Sequence, residues 1–538
     1  MTGSFDIAVV GGGFAGSLFA MAAKRAGRSV VLIEKARHPR FAIGESTSPL
    51  ANLLLAGLCD DWGLDRVRAL ATFGSWRREH PELDCGLKRG FTFFAHREGK
   101  RWSRSAAREN ELLVAASPND EVADTHWLRA GVDQFLFAEA GREGVECLEE
   151  TQVEKLDTRD GAGGWHLHSR RGGAARRIRA RFVVDASGPR GFLQRALSLG
   201  ERFDGLPRVE GLFTHFTNVA RAGNLAGHSP SGSVDAPPYP PDDAAVHHVL
   251  EGGWVWVLRF GSGLVSAGVA ATPALARAIT LEEGAPAWER LLDRYPFLRA
   301  QFGDAVAARE FTFSSCLPFR AAAASGPGWA MLPSAAAFVD PLLSTGIPLA
   351  LGGVRRLAAI VGREWGRAGF EQAVARAGRR CLLEADAAAL LVAALYASLA
   401  DFELFSSLTF LYFAAASFAE AATRLGRPAA SRGFLLLDHP RFAPAFRQVC
   451  RRVLDAGRRG CLRAERGGII ASVFAAIEPV DVVGLATPGR RNWHPFDAEP
   501  LLASASKLGV RRREVAEMLA RTTADCPSAR ILHIEVRS

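Results

Sequence analysis

Apolar positions come in short continuous runs near the N-terminus, alternate with polar ones in the middle of the chain, and recur every three to four residues beyond it. "IAVV" (7–10) and "VVLI" (30–33) are unbroken apolar runs, as expected of strands buried on both faces. Between them lies a glycine-rich turn and a stretch with helical spacing. Strand, tight turn, helix and strand open a doubly wound α/β unit. Farther on, "VEGLFTHFTNV", "VHHVLEGGWVWVLRF" and "LVSAGVAAT" read as strands of a second, antiparallel sheet. That sheet is expected to draw on 85–105 and 205–320, and the α/β unit on 1–80, 125–200 and 320–365. From 366 to 538 the pattern is mainly helical, with 486–538 as a linker and a last amphipathic helix.

One stretch does not fit simple alternation. "CGLKRGFTFFAH" (85–96), read as one strand, puts Leu87, Arg89, Phe91 and Phe93 on one face. Lys88, Gly90, Thr92 and Phe94 take the other. Each face then carries a cation, where an amphipathic strand needs polarity on only one.

Composition narrows the partners. The 538 residues carry a net charge of +9, spread as scattered arginines. The densest cluster, "SRRGGAARRIRARF" (169–182), is expected to be a solvated hairpin, so no nucleic-acid partner is expected. Eight cysteines lie dispersed without a CxxC or zinc spacing, so no metal site is expected and the thiols read as reduced, in a cytoplasmic protein. The apolar runs 387–400 and 404–418 are split by Asp401-Phe402-Glu403. Each is shorter than the ~20 residues of a membrane span, so buried helices and no membrane are expected.

The candidate chemistry starts at "GGGFAG". Gly11, Gly13 and Gly16 fill GxGxxG, with Ala15 on the turn, and the helix start that follows offers free N–H groups to a pyrophosphate. Glu34 ends the second strand, where a carboxylate hydrogen-bonds a ribose, and Lys35 follows it.

Four further segments carry a resemblance. "RFAIGESTSP" (40–49) contains Arg40, Ile43, Glu45 and Ser46. "HWLRAGVDQFLFAEA" (126–140) contains Arg129, and "ARFVVDASGPRG" (180–191) contains Asp185 and Gly188. "MLPSAAAFVDPLLSTGIPLAL" (331–351) contains Asp340 and Ile347. In this order they resemble the FAD-dependent monooxygenase superfamily, which implies a Rossmann-type FAD-binding domain with an inserted substrate sheet and a helical C-terminal cap. Those residues would be the FAD contacts, Arg129 reaching the flavin. The superfamily's usual Gly-Asp-Ala is Pro333-Ser334-Ala335 here, leaving looser flavin binding, Asp340 or water as substitutes.

Within that superfamily the chain resembles the flavin-dependent halogenases, and among them phenolic types such as the phloroglucinol halogenase. "GGWVWVLRF" (252–260) is similar to their WxWxIP motif, with Arg259-Phe260 in place of Ile-Pro. Ser344-Thr345-Gly346 corresponds to the halide cradle, Thr345 and Gly346 binding through backbone N–H. Lys88, with Phe93 five residues on, has the spacing of the catalytic lysine. The resemblance implies that reduced FAD and O2 give a C4a-hydroperoxide, that chloride or bromide becomes hypohalous acid, and that Lys88 delivers it to a small aromatic substrate. A separate flavin reductase would supply FADH2 to a monomer or homodimer. Trp254, Trp256, Phe94, Leu343, Phe402 and Phe405 are the expected pocket, and Leu343, where indole-type enzymes carry Glu, favours an electron-rich phenol or pyrrole. The competing expectations are a hydroxylating FAD monooxygenase, a halogenase fold that has lost halide use, and a flavin-binding sensor or partner-binding scaffold without turnover.

Overall fold

The computed structural model describes residues 3–157, 164–201, 205, 207–228, 236–431, 433–487 and 492–524. Cys526 and the end of the expected last helix lie outside them; the seven described cysteines are unpaired. The apolar runs form the centre of a parallel sheet. Gly3–Val10 lies between Val30–Ile33 and Ala174–Asp185, in parallel with both. Glu146–Leu148 and Trp329–Met331 extend the sheet on either side, also in parallel. Every residue of Val30–Ile33 is buried, as a strand covered on both faces requires. The arginine-rich segment forms the expected hairpin, Trp165–Arg171 against Ala174–Asp185.

The second sheet runs Val306–Ala307, Glu210–Thr217, Val265–Ala271, Gly253–Arg259, Ala245–Leu250, Gly90–Ala95, Glu111–Ala115 and Trp493–His494. It is mixed rather than purely antiparallel. Gly90–Ala95 pairs in parallel with Ala245–Leu250. Trp493–His494 adds a parallel edge strand, so the segment read as a linker is part of the sheet.

Long helices cover one face of this second sheet. Phe370–Ala397 and Phe402–Arg424 break at 398–401, where Asp401 caps the second helix through Leu404 N–H (3.2 Å). Phe402–Arg424 is long and apolar enough to cross a membrane, but 78% of its apolar window is buried inside the protein. Its Phe405 and Tyr412 pack against Phe93 and Phe91 of the sheet, with ring centres 6.0 and 6.2 Å apart.

Candidate active site

The glycine turn is shaped by contacts that leave no room for a side chain. Gly11 has φ +111°, and a Cβ there would lie 2.3 Å from Ala186 O. A Cβ on Gly16 would lie 2.0 Å from Gly11 O. Gly13, which precedes the helix Phe14–Arg25, is different. Its Cβ would meet only the side-chain ends of Arg40, Arg129 and Asp133, at 3.4 to 3.6 Å. Ala15 is buried in the helix's first turn. Glu34 is 3% exposed and accepts from Gly12 N–H (2.9 Å), Ala36 N–H (3.0 Å) and Arg40 (3.0 Å), while Lys35 beside it is exposed. A backbone cradle at a helix start, edged by two guanidiniums and closed by a buried carboxylate, fits a dinucleotide such as FAD.

Three of the expected flavin contacts, Arg129, Asp185 and Asp340, also hold protein groups. Arg129 forms a two-pronged pair with Asp133 (2.9 Å each) and donates to Ile43 O (2.8 Å) and Gly44 O (3.2 Å). It fixes the 40–49 segment beside the glycine turn, with Nη2 3.6 Å from where a Gly13 Cβ would lie. Asp185 accepts from Ser187 N–H and Oγ and from Leu193 N–H (2.9, 2.7 and 2.6 Å), which holds the turn at Gly188 (φ +85°). Asp340 turns toward the second sheet, as described below. Ile347 is buried in the first turn of the helix Gly346–Glu364.

The 85–96 stretch is two strands in two sheets, and the break explains its two cations. Arg89 leaves the first strand, pairs with Asp120 (2.7 Å) and donates to Pro118 O (2.9 Å). Cys85–Lys88 pairs with Asp124–Trp127, and Gly90–Ala95 joins the large sheet. The alternation therefore restarts, and Phe91, not Phe94, shares the chamber with Lys88. Phe94 packs on the opposite face against Trp102, Phe297 and His248 (5.4, 5.8 and 5.8 Å), so it is not a pocket residue.

Lys88 is 0% exposed. Its Nζ donates to Thr47 O and to Ser344 Oγ (3.5 Å), and lies 3.9 Å from the centre of the Phe91 ring. Desolvation pushes its pKa down from 10.5 to about 8, against the pull of the Asp124 carboxylate. Ser344 also donates to Ser46 Oγ (2.9 Å), so the 40–49 segment, the 344–346 loop and Lys88 meet at one hydroxyl. Glu45 is buried and held by His215 (3.0 Å).

The loop before that hydroxyl is strained. Leu343 and Ser344 both have left-handed φ, +63° and +54°. Each such residue costs about 1–2 kcal/mol, a cost the surroundings must offset. Asp340 provides part of the restraint. Its Oδ1 accepts from Leu342 N–H (2.9 Å) and Trp254 Nε1 (3.2 Å), and its Oδ2 from Tyr396 OH (2.8 Å). Burial raises its pKa from 3.8 to about 7. Thr345 and Gly346 then start the helix, whose first N–H groups have no partner within it. A Cβ on Gly346 would meet nothing within 4 Å, so the approach to this helix start is open.

Trp254 and Trp256 do lie on one face, 5.7 Å apart, and Leu343, Phe405 and the partly buried Phe402 belong to the same apolar cluster. Arg259 points away, pairing with Asp242 (3.1 Å) and donating to Val219 O (3.1 Å). Phe260 packs near His126 and His215 (6.4 and 6.0 Å). The residues that replace Ile-Pro thus anchor neighbouring loops. Asp124 lies across the strand pair from Lys88, Asn52 holds Asp124, and Tyr396 and His247 meet Trp254. Asp124, Asn52, Tyr396 and His247 were not visible in the sequence, because each arrives from a segment without a motif, brought in by strand register or helix packing.

The FAD dependent oxidoreductase family matches residues 6–337. The tetracycline 7-halogenase of Kitasatospora aureofaciens is 28% identical over 355 residues, which are 64% of this chain and 60% of that protein. The monodechloroaminopyrrolnitrin halogenase PrnC of Pseudomonas fluorescens is 28% identical over 371 residues, 66% of this chain and 61% of PrnC. The chain thus spans about three-fifths of the length of these curated relatives. The crystal structure of halogenase PltM superposes with TM-score 0.79 at 25% identity, covering 90% of this chain and 99% of PltM. PltM in complex with phloroglucinol and FAD has the same fold, with TM-score 0.78 at 24% identity over 91% of this chain and 98% of PltM. The family match spans more than half the residues, including the whole glycine cradle and the Lys88 strand, and the chain belongs to the FAD-dependent oxidoreductases.

Proposed function

We propose that the protein is a flavin-dependent halogenase that passes halogen from hypohalous acid to an electron-rich, phenol-type ring through Lys88. The observation that carries this reading is a fully buried lysine whose ammonium meets Ser344, beside an open helix start and an aromatic wall. The relatives named as halogenases support it. FAD would lie along Gly11, Gly13, Gly16 and Glu34, with Arg40 near its phosphates. Bound and reduced, it supplies with O2 the oxidising power for the halide. Thr345 and Gly346 would hold chloride or bromide through their N–H groups. Lys88 then hydrogen-bonds hypohalous acid and directs its halogen at the ring. A wall of Trp254, Trp256 and Phe405 limits water and favours a flat substrate. A phenol, activated by its own hydroxyl, suits a site with Leu343 where a carboxylate would assist an indole. Reduced flavin comes from a separate cytoplasmic reductase.

The test supplies enzyme, a flavin reductase, NADH, O2 and chloride or bromide to a panel of phenols, pyrroles and indoles, phloroglucinol included. The expected result is halogenated phenol, read by mass, with turnover that requires halide. A hydroxylated product formed without halide would replace this reading with the monooxygenase one.

The Asp340 clamp gives a second expectation. Tyr396→Phe removes one donor to a buried carboxylate, a contact worth about 1.5–3 kcal/mol. The strained loop loses restraint, and the KM for halide rises about tenfold, the lower end of that range. Steady-state kinetics against bromide checks this, and an unchanged KM would show that the clamp does not shape the halide site.

A further inference from the structure

The strand pair that carries Lys88 places a carboxylate directly across from it. Lys88 and Asp124 are register partners in the antiparallel pair, so their side chains leave the same face. Asp124 is 1% exposed. Its Oδ1 accepts from Asn52 Nδ2 (2.8 Å), while its Oδ2 is buried with no hydrogen-bond partner among the described residues, as is Asn52 Oδ1. Lys88 does not fill this gap, because its Nζ donates to Thr47 O and Ser344 Oγ. Two imidazoles lie nearby. His247 is stacked between Phe93 and Trp254 (4.5 and 5.2 Å), and His126 pairs through Nδ1 with Arg259 O (3.2 Å); register sets Asp124, not His126, across from Lys88.

We infer that Asp124 is the base that takes the ring proton in the halogenation step, filling from the facing strand the role that Leu343 cannot. The inference rests on the halogenase reading above. The step balances as follows. A ring π pair forms the carbon–halogen bond to hypohalous acid, and the oxygen–halogen pair stays on oxygen. Lys88 gives that oxygen a proton, and it leaves as water. The cationic ring then passes its proton to Asp124 Oδ2, and the C–H pair restores aromaticity. Lys88 is left neutral and Asp124 protonated, and proton transfer from Asp124 to Lys88 resets both. The net change is ring C–H plus hypohalous acid to ring C–halogen plus water. Asn52 is a positioning residue that orients the carboxylate through Oδ1.

The experiment compares wild type, Asp124→Asn and Asp124→Glu on ring-protonated and ring-deuterated forms of the best-used monophenol of the panel, whose ring C–H does not exchange with water. Asp124→Asn keeps the shape and loses the base. Its rate is expected to fall about 10²-fold, with proton loss now limiting and an isotope effect above about 2, where wild type shows almost none. Asp124→Glu restores a base and is expected to recover part of the rate with a smaller isotope effect. FAD binding, followed by flavin fluorescence, reports the fold of each variant, and if Asp124→Asn does not fold, Asp124→Glu decides by its isotope effect. Variants that halogenate with no isotope effect overturn this inference alone. A wild type that makes no halogenated product overturns the halogenase reading and this inference with it.

Discussion

Lys88→Ala is expected to lower halogen transfer at least ~10³-fold while FAD stays bound, a loss of about 4 kcal/mol of transition-state stabilisation. The magnitude follows from burial. Nζ is wholly enclosed, so its hydrogen bonds are made away from bulk water, where each is worth most. Lys88→Arg is expected to fail almost as badly, because the guanidinium is larger than the ammonium and does not release a proton in this range. Product mass and flavin absorbance, measured on the same samples, check both parts. Halogenation within tenfold of wild type in Lys88→Ala would end the assignment. The pH dependence has a definite sign. Burial lowers the Lys88 pKa from 10.5 to about 8, so its acid form is full below about 8 and is lost as pH rises through it. Activity that needs the ammonium therefore declines above about pH 8, not above 10.5. Asp124 opposes the shift and is itself pushed up from 3.8 to about 8 by burial, so its base form is lost as pH falls through about 8, whereas His126 and His247, pushed down to about 3 by burial, stay neutral throughout.

The sequence made the nucleotide half legible because its constraints are local. A glycine that must touch Ala186 O or its own turn has no substitute, and the strand runs around it are unmistakable. The chamber was legible only in part. Lys88 announced itself as a surplus cation, but the period-two reading carried Phe94 into the pocket, because the break at Arg89 is made by Asp120 and by carbonyls of 117–118, far along the chain. Asp340 was read as a flavin contact because it stands near the missing acidic position. Its partners, Trp254 and Tyr396, lie 86 and 56 residues away and leave no local trace. Asp124 had no motif at all. Only the pairing of Cys85–Lys88 with Asp124–Trp127 gives it a place.

Among the three cradle glycines, the structure separates fold from ligand binding, and the variants are expected to divide accordingly. Gly16→Ala places a methyl 2.0 Å from Gly11 O and 3.0 Å from the Ala186 side chain. Backbone cannot yield cheaply, and overpacking of this kind costs about 1–3 kcal/mol. The helix Phe14–Arg25 must shift off the sheet, so both Tm and FAD affinity fall. Gly11→Ala adds a strained φ of +111° to a 2.3 Å clash with Ala186 O, and its loss of Tm should be the largest. Gly13→Ala meets only movable ends of Arg40, Arg129 and Asp133, so Tm should stay near wild type. Its methyl nonetheless projects where a pyrophosphate must approach backbone N–H groups. FAD affinity should then fall about 10²-fold, equal to some 2.7 kcal/mol, with the fold intact. Thermal melts without flavin, paired with fluorescence titration of FAD, separate the two effects. If Gly13→Ala binds FAD as wild type does, the dinucleotide does not cross this turn. If Gly16→Ala melts as wild type does, the contact with Gly11 O is not what holds the helix to the sheet.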